Sequence, residues 1–289
     1  MSKDSAQRRP GYFPIVLVIG GISISFASIL IKFCPDVPAL IISSYRTGLV
    51  ALALFPFFIL RKKNFPVKFV WLSLFSGTFL ALHFAFWIAS LKFTTVASSL
   101  FVLSIYPFLA SFLSWLLLGE RIPPNFFLGA FFTILGIGVI FSADLYSVSF
   151  TRGNLLSFLG AIALAAYFVS GRLIRRRVGI LDYLFMAYGW ASVLLTVVSI
   201  AYGLRFTGYS AKTYVYLFLL AAVPQGLGHS AFNWALRYVK TGLVSLTTLV
   251  ESIGASLLAW LILGEEISPL KLVGIVLVAA GISLGWLKE

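Results

Sequence analysis

The sequence contains a single cysteine, Cys34, which excludes both an intramolecular disulfide and a metal site made of several cysteines. Charged residues are also scarce: they make up 11% of the 289 residues, whereas about 25% is usual for a soluble domain. A soluble fold of this length would lack the polar surface needed to cover its core. Catalytic signatures are missing as well, because the sequence has neither the H-E-x-x-H pattern of zinc proteases nor the Gly-Lys-Ser/Thr ending of a P-loop. We therefore expect no enzymatic activity, no metal and no cofactor.

Long apolar runs take the place of the missing polar surface. Hydrophobic residues make up 60% of the chain, the mean hydropathy is +1.01, and runs near the ~20 residues needed to cross a bilayer recur from end to end. The sequence therefore predicts an all-α integral membrane protein. Its ten expected transmembrane helices are residues 12–33, 37–60, 67–91, 94–118, 124–142, 152–172, 181–203, 213–236, 241–263 and 269–287. The formal net charge of +13 comes from basic residues in short loops, so we attribute it to membrane topology and not to nucleic-acid binding.

One segment of the chain occurs twice. Residues 110–137 match residues 255–282 at a constant offset of 145 residues, without a gap. Each copy contains an apolar helix, a short turn with Gly-Glu and Pro, and a second apolar helix. A match at a fixed offset indicates internal duplication. We therefore divide the chain into two repeats of five helices each, residues 1–147 and 148–289.

An odd number of helices per repeat gives the two repeats opposite orientations in the membrane. If the N-terminus lies in the cytoplasm, the cytoplasmic segments hold fifteen Lys and Arg residues and the outer segments hold six. Positive residues concentrate on the cytoplasmic side of membrane proteins, so we expect both termini there. Inverted repeats around a midplane site, which is exposed alternately to each side, are typical of secondary transporters. The pattern thus predicts two inverted five-helix repeats around a central cavity, and a transport function.

The turn of each repeat carries the motifs of a known family. Leu-Gly-Glu-Arg-Ile at 118–122 is followed by glycines at 129 and 136, and Leu-Gly-Glu-Glu-Ile at 263–267 is followed by glycines at 274 and 281. Together with Arg46 in the second helix and Glu251 in the ninth, this pattern resembles the EamA-type modules of the drug/metabolite transporter superfamily. The resemblance implies a ten-helix fold whose cavity is lined mainly by helices 1, 3, 4, 6, 8 and 9. Family members similar to this sequence include amino-acid exporters of bacterial inner membranes.

Glycine and proline positions in the repeats bear on helix geometry. The glycines recur at seven-residue spacing in both copies and predict close packing of helices. Pro107 and Pro224 remove backbone donors and predict bends in helices four and eight. Ser252, which corresponds to Pro107 by the offset, stands where the family frequently has proline.

Four ionisable side chains lie inside predicted helices: Arg46, His83, His229 and Glu251. Such groups are costly in a bilayer and indicate functional sites. The 145-residue offset pairs Glu251 with Tyr106, so we expect both at the centre of the cavity. Glu251 is our candidate for binding a substrate ammonium or for carrying the coupling proton; the alternative is a hydrogen bond between helices.

The two histidines and a polar face of helix eight form a second candidate group. His83 and His229 could each bind substrate or relay protons, with His83 as a second candidate for proton coupling, or each could instead hydrogen-bond a neighbouring helix. Gln225, His229 and Asn233 are spaced to share one helical face. A polar face within an apolar span must contact a cavity or a partner instead of lipid. We therefore include these three residues among the substrate-binding candidates.

The remaining candidates are aromatic residues and one arginine. Trp87, Phe86 and Tyr167 lie on helices three and six near the polar positions and, with Tyr106, complete the set of substrate-binding candidates. Arg46 could hold a substrate carboxylate. The family resemblance implies, however, that helix two is peripheral to the cavity, so a structural ion pair or a snorkelling position is the alternative.

These features favour export of amino acids, particularly bulky or aromatic ones, across a bacterial inner membrane. A central glutamate among aromatic residues suits a zwitterion or a cation, whereas phosphorylated substrates need several cations. The alternative is efflux of lipophilic or quaternary amines, which cation–π contacts and one carboxylate would also bind, or of another small metabolite. A non-transporting scaffold is disfavoured by the inverted repeat and the polar face. The expected partners are a small-molecule substrate and the lipid bilayer, not nucleic acid, and ten helices suffice for a complete cavity in a monomer.

Overall fold

The computed structural model describes residues 9–61, 66–94, 96–142, 152–264 and 268–287. All regular secondary structure within these ranges is helical. In chain order the α-helices are α1 Phe13–Ser25, α2 Ala27–Lys32, α3 Ala39–Leu60, α4 Val67–Ser90, α5 Val96–Leu103, α6 Tyr106–Leu118, α7 Pro124–Ser142, α8 Arg152–Arg175, α9 Ile180–Ala201, α10 Ala211–Leu220, α11 Ser230–Ala235, α12 Thr241–Thr248, α13 Val250–Leu258 and α14 Pro269–Gly285. Two π-helical segments join this series: Ala221–His229 connects α10 to α11, and Ala259–Leu263 continues α13.

Eight helical stretches of the described chain are long and apolar enough to cross a membrane. They are Phe13–Lys32, Ala39–Leu60, Val67–Ser90, Ser99–Leu118, Arg152–Arg175, Ile180–Ala201, Ala211–Ala235 and Thr241–Ile262. Two further apolar helices, α7 with 19 residues and α14 with 17, are at the short end of the ~17–25 residues that span a bilayer. The sequence predicted ten spans; eight correspond to the long stretches, and the other two coincide with α7 and α14.

The fourth and ninth predicted helices are each interrupted in their middle. Residues 104 and 105 separate α5 from α6, whose second residue is Pro107, and Leu249 separates α12 from α13. Residues 104 and 249 differ by the 145-residue offset of the repeat, yet only the first interruption has a proline beside it. At the second, the N–H of Ser252 donates to the carbonyl of Leu249 at 3.0 Å, which is a tighter turn than an α-helix makes. The interruption of the ninth helix therefore does not depend on proline.

The proline in the eighth predicted helix lies in a locally widened turn. Pro224 is inside the π-helical segment Ala221–His229. Because proline has no N–H, it cannot complete the regular ladder of backbone hydrogen bonds, and a local π geometry accommodates the missing bond. The irregularity predicted at Pro224 thus takes the form of a π-helical segment, which keeps the whole span Ala211–Ala235 helical.

α7 and α14 pack at very short range through their glycines. A Cβ atom on Gly129 would lie 2.5 Å from the carbonyl oxygen of Gly281, and one on Gly136 would lie 2.6 Å from that of Gly274. Only glycine lets two backbones approach so closely. The close packing predicted from the glycine spacing is confirmed, and the order of the contacts shows that the two helices run antiparallel.

Other helix pairs form the walls around the candidate site. α4 packs along α8, and α6 contacts both α8 and α12. α1 packs against the π-helical segment Ala221–His229 and against α13. α3 packs along α9 and also touches that π-helical segment. These contacts surround a central pocket to which α1, α4, α6, α8 and α13 contribute residues.

Candidate functional site

The central pocket is narrow in this conformation, with a cavity volume of about 30 Å³, which is below the ~300–1,000 Å³ of pockets that hold a small molecule. The family resemblance implied that the predicted helices 1, 3, 4, 6, 8 and 9 line the cavity, and each of them contributes at least one residue to this pocket. Its aromatic and ionisable lining residues are His83, Trp87, Tyr106, Phe168, His229, Phe232 and Glu251. The rest of the lining is largely aliphatic, with Ile24 and Leu100 as examples. A mostly apolar wall with a few placed polar groups is typical of a ligand site.

Glu251 and Tyr106 lie beside the two helix interruptions. Tyr106 is the first residue of α6, and Glu251 is the second residue of α13. The side chain of Glu251 is half-buried and lines the pocket. The Tyr106 hydroxyl donates to the backbone carbonyl of Ser245 at 2.8 Å and also bonds the hydroxyl of Thr248. The hydroxyl of Tyr106 therefore holds α6 against α12, and only its ring is available to a ligand.

The two histidines meet at the pocket. Their ring centroids are 6.4 Å apart, and His83 stacks on Trp87 at 5.8 Å with an interplanar angle of 7°. Nδ1 of His83 lies 3.0 Å from the carbonyl oxygen of Gly160 on α8, so His83 makes the hydrogen bond between helices that was one of its two expected roles. Nδ1 of His229 and Nε1 of Trp87 are buried without a hydrogen-bond partner in the described part of the chain.

Arg46 lies in the protein interior on α3, and no residue of α3 is in the pocket lining, as the resemblance implied for the second helix. Its side chain is fully buried and does not snorkel. Its Nε donates to Oε1 of Gln225 at 2.9 Å, and its guanidinium carbon lies 4.2 Å from the ring centroid of Phe84 and 5.9 Å from that of Trp87. Arg46 Nη1 and Nη2 have no hydrogen-bond partner among the described residues. The burial follows from the packing of α3, which is covered by α4, α9 and the π-helical segment Ala221–His229.

The polar residues of the eighth predicted helix, which is the span Ala211–Ala235, lie partly at the pocket and partly in the protein interior. His229 lines the pocket, whereas Gln225 and Asn233 do not. Gln225 is buried against Arg46, and Asn233 donates through Nδ2 to the carbonyl of His229 at 2.7 Å. The prediction that this face avoids lipid holds for Gln225 and Asn233, which are fully buried, and for the pocket-lining His229.

The aromatic candidates are also divided. Trp87 and the ring of Tyr106 line the pocket, but Phe86 is only half-buried on α4 and is not part of the lining. Tyr167 is fully buried behind the lining and makes an edge contact with Phe168, at a centroid distance of 5.8 Å. Phe168 is a lining residue that the sequence did not single out. No local feature distinguishes it from the many other phenylalanines of the chain.

A second polar centre, which the sequence did not reveal as a site, follows the end of α6. Gly119 caps α6 with a φ of 66°, a left-handed conformation that glycine adopts readily, and Glu120 comes next. Oε1 of Glu120 accepts from Nε of Arg172 at 2.7 Å and from Nη2 of Arg176 at 3.0 Å. Its Oε2 accepts from the backbone N–H of Thr241 at 3.1 Å. We call Glu120, Arg172, Arg176 and Thr241 the Glu120 cluster.

The Glu120 cluster joins the end of α6 to the end of α8 and to the start of α12. A carboxylate at a helix N-terminus is stabilised by the exposed N–H groups there, which explains the contact with Thr241. The sequence marked Glu120 only as part of the repeated Leu-Gly-Glu triplet. Its partners lie between 52 and 121 residues away along the chain, so no local pattern could have identified them.

A further polar contact joins the loop after α2 to the end of α4. Nζ of Lys92 donates to the carbonyls of Cys34 at 3.0 Å and of Pro35 at 2.8 Å. Burial lowers the pKa of Lys92 and raises the pKa of the Cys34 thiol to about 11. Cys34 is therefore protonated at neutral pH and is a weak nucleophile. No group of three or more His, Cys, Asp or Glu residues suited to a metal ion is found within the described ranges.

Sequence comparisons relate this chain to transporters, and a structural comparison finds a protein with a similar fold. The sequence model of the EamA-like transporter family matches this chain over residues 12–142 and again over 151–286. An uncharacterized transporter from Archaeoglobus fulgidus is 22% identical over 202 residues, which cover 70% of this chain and 71% of that protein. A protein of known crystal structure with 16% sequence identity superposes with a TM-score of 0.80, covering 96% of this chain and 98% of its own. At this identity the structural likeness concerns the fold alone.

Proposed function

Because this chain belongs to the EamA-like transporter family, we propose that it is a secondary transporter that exports amino acids, including bulky or aromatic ones, by alternating access. The observation that carries the proposal is the composition of the central pocket, which has one carboxylate, Glu251, among aromatic and aliphatic side chains. Such a pocket needs a substrate that balances one negative charge and fills an apolar space. An amino acid with a large side chain does both once the pocket has widened from the narrow form of this conformation.

The charge of the pocket argues against phosphorylated substrates. Nucleotide-sugars and sugar phosphates carry several negative charges and need several cations around them. Neither lysine nor arginine lines the pocket within the described part of the chain. An ammonium group can instead lie beside Glu251, with the stacked rings of His83 and Trp87 supplying apolar and cation–π contacts.

Two inverted repeats would give this pocket its alternating access. The 145-residue offset matches Gly129 to Gly274 and Gly136 to Gly281. It therefore exchanges the two glycine contacts, Gly129 with Gly281 and Gly136 with Gly274, as expected for a pseudo-twofold axis. The interruptions of the fourth and ninth helices are related by the same offset. In this proposal all ten predicted helices cross the bilayer, and rocking of one repeat against the other exposes the pocket to each side in turn.

The membrane orientation remains a proposal based on charge. With both termini in the cytoplasm of a bacterial cell and the protein in the inner membrane, the positive residues concentrate on the inner side. The Glu120 cluster then lies at the cytoplasmic end of the bundle, and the contact between Lys92 and Cys34 lies at the outer end. Fusion of a reporter to the C-terminus tests this orientation directly.

Glu251 is also the proposed site of proton coupling. A carboxylate that binds the substrate ammonium loses its attraction for that group when it is protonated. One residue can therefore hold a proton and a substrate alternately, which couples proton entry to substrate export. His83 is the second candidate, although its Nδ1 already contacts the carbonyl of Gly160.

Uptake into proteoliposomes that contain the purified protein tests the proposed function. The labelled substrates are phenylalanine and threonine, and the competitors are unlabelled amino acids, methyl viologen and a nucleotide-sugar. Competition by amino acids alone supports amino-acid export. Competition by the nucleotide-sugar alone contradicts the argument from pocket charge.

Efflux of lipophilic or quaternary amines is the second candidate function. It is favoured by the same carboxylate and rings, because Glu251 and the stack of His83 and Trp87 can bind a cation that has no carboxylate. Competition by methyl viologen alone in the proteoliposome experiment supports this alternative.

A further inference from the structure

We propose that Arg46 and Gln225 form a subsite for a carboxylate beside the central pocket, so that the transported molecule must carry a carboxylate as well as an ammonium group. The inference rests on the proposed function and narrows its substrate class to amino acids, excluding simple amines. It gives Arg46 a binding role on a helix that was expected to be peripheral.

The guanidinium of Arg46 is buried with most of its hydrogen-bonding capacity unused. Only Nε is engaged, in the 2.9 Å hydrogen bond to Oε1 of Gln225. Nη1 and Nη2 are buried and have no partner among the residues that the structure describes. A buried charge without partners is costly, so a protein that keeps one gains from a ligand that completes it. The fork of N–H groups on a guanidinium matches the two oxygens of a carboxylate.

The atoms around Arg46 are suited to an anion. The hydrogen bond from Arg46 identifies the oxygen of the Gln225 amide, so its Nε2 is a donor, and this atom is also buried without a partner in the described chain. Nε1 of Trp87, which can only donate, is unpartnered as well. The two side chains next to Arg46, those of Gln225 and Trp87, thus each have a buried donor without a hydrogen bond.

The subsite lies one layer of side chains behind the pocket wall. Phe84 is in contact with Arg46 at 4.2 Å on one side and with His229 at a centroid distance of 5.3 Å on the other. Trp87 lies 5.9 Å from the guanidinium and lines the pocket itself. In this conformation the two rings separate Arg46 from the pocket, so a carboxylate reaches the guanidinium when Phe84 or Trp87 turns aside.

Glu251 supplies the complementary charge. It is the one acidic residue of the pocket lining in the described part of the chain. A zwitterion with its ammonium near Glu251 and its carboxylate near Arg46 neutralises both groups at once. A simple amine neutralises Glu251 only and leaves the fork of Arg46 unpaired.

Three ligands with the same ring test the inference on the wild-type protein. L-phenylalanine has both charged groups, phenethylamine lacks the carboxylate, and 3-phenylpropionate lacks the ammonium. Each is measured as a competitor of labelled phenylalanine uptake and by the shift it causes in thermal unfolding. We expect phenylalanine to bind about ten- to a hundredfold more tightly than phenethylamine, as is usual for the loss of charge-assisted hydrogen bonds.

Variants assign that difference to Arg46. Arg46→Gln should lower the affinity for phenylalanine to that for phenethylamine and leave the affinity for phenethylamine unchanged. Arg46→Lys should restore part of the preference for phenylalanine, because lysine keeps the charge without the forked guanidinium. The matched control is Arg175→Gln. Arg175 is equally buried, but it donates to the backbone carbonyls of Asn233 and Val178, away from the pocket, so the preference should persist.

The outcomes separate this inference from the proposed function. Equal binding of phenylalanine and phenethylamine by the wild-type protein, or an Arg46→Gln variant that keeps the preference, overturns the carboxylate subsite while transport stands. Absence of binding and transport for all three ligands overturns the proposed function itself. If Arg46→Gln does not fold, the inference is still tested by the comparison of phenylalanine with phenethylamine on the wild-type protein and by Gln225→Leu. Loss of Gln225 should lower the preference for phenylalanine.

Discussion

The central pocket and the Glu120 cluster are both polar regions inside an apolar protein, yet their hydrogen bonding differs. In the Glu120 cluster, both carboxylate oxygens accept hydrogen bonds from groups on other helices. Around the pocket, Arg46, Trp87 and His229 have buried polar atoms without partners in the described chain. Elsewhere in the described chain, serine hydroxyls and the buried carboxylate of Asp182 also lack hydrogen bonds. A hydroxyl carries no net charge, and the Asp182 carboxylate has an ion-pair contact with Arg61 at 3.7 Å.

The difference teaches how to separate structural polar groups from ligand-binding ones. A buried group that already has its partners stabilises the fold and has nothing left to offer a ligand. A buried charge that lacks them costs stability, which is reasonable at a site that a ligand completes. By this comparison Glu120 belongs to the fold, and the unpaired donors of Arg46 support its proposed binding role. Substitutions of the same kind in both regions test the comparison.

The largest effect is expected from Glu251→Gln. The amide cannot supply a negative charge to an ammonium group, so initial uptake of phenylalanine should fall about ten- to a hundredfold. Thermal unfolding of the variant should stay close to that of the wild type. A Glu251→Gln protein that still shows uptake driven by a pH gradient would refute the role of Glu251 in proton coupling.

Glu120→Gln is the matched substitution in the other region, and its effect should be on stability. The arginine side chains of the cluster are only 11% and 27% exposed, so solvent screens the ion pairs partly. We expect a loss of about 2 kcal/mol in the free energy of unfolding, below the 3–5 kcal/mol typical of breaking a fully buried pair. The affinity for phenylalanine should change less than about threefold, which is under 1 kcal/mol.

The control for Glu120→Gln is Arg121→Gln at the neighbouring, exposed position. It removes a charge from the same turn without breaking a contact of the cluster, so both stability and affinity should stay near wild-type values. A Glu120→Gln variant with unchanged thermal unfolding but weakened phenylalanine binding would contradict the division between the two regions.

Tyr106→Phe tests the comparison inside the pocket itself. The ring of Tyr106 lines the pocket, but its hydroxyl is already bonded to the carbonyl of Ser245. Removing the hydroxyl should cost about 1 kcal/mol of stability. Uptake should fall less than about threefold, since the ring remains, which corresponds to under 1 kcal/mol. A loss as large as that of Glu251→Gln would mean that the hydroxyl contacts the substrate.

The features that the sequence predicted correctly depend on local pattern or on the repeat. Apolar runs located the helices, and the glycine spacing predicted the close contact that Gly129 makes with Gly281. The internal offset paired Glu251 with Tyr106, and both line the pocket. These features need only the preference of apolar segments for the bilayer and the constant offset between matching positions of the sequence.

The features that the sequence missed depend on contacts between distant segments. A snorkelling position was one alternative for Arg46, and nothing in its own helix shows that α9 and the π-helical segment cover it. The partners of Glu120 lie on or directly after α8 and at the start of α12, far from Glu120 along the chain. The interruption at Leu249 occurs without the proline that marks its counterpart, so its cause is the surrounding packing and not the local sequence.

The smallest expected effect is slow chemical labelling of Cys34, which lies at the opposite end of the bundle from the Glu120 cluster. Lys92 donates to the carbonyls of Cys34 and Pro35, so by the same comparison this contact is structural. Because burial raises the pKa of Cys34 to about 11 and the thiolate is the reactive form, maleimide labelling should be slow at pH 7.5. The rate should rise with each step in pH without a plateau below that pKa, and Cys34→Ser should remove labelling entirely. A plateau near pH 9, close to the pKa of an ordinary thiol, would mean that the contact between Lys92 and the carbonyls of Cys34 and Pro35 opens in solution. Lys92 would then lie in a part of the protein that moves, and its contact would not be structural.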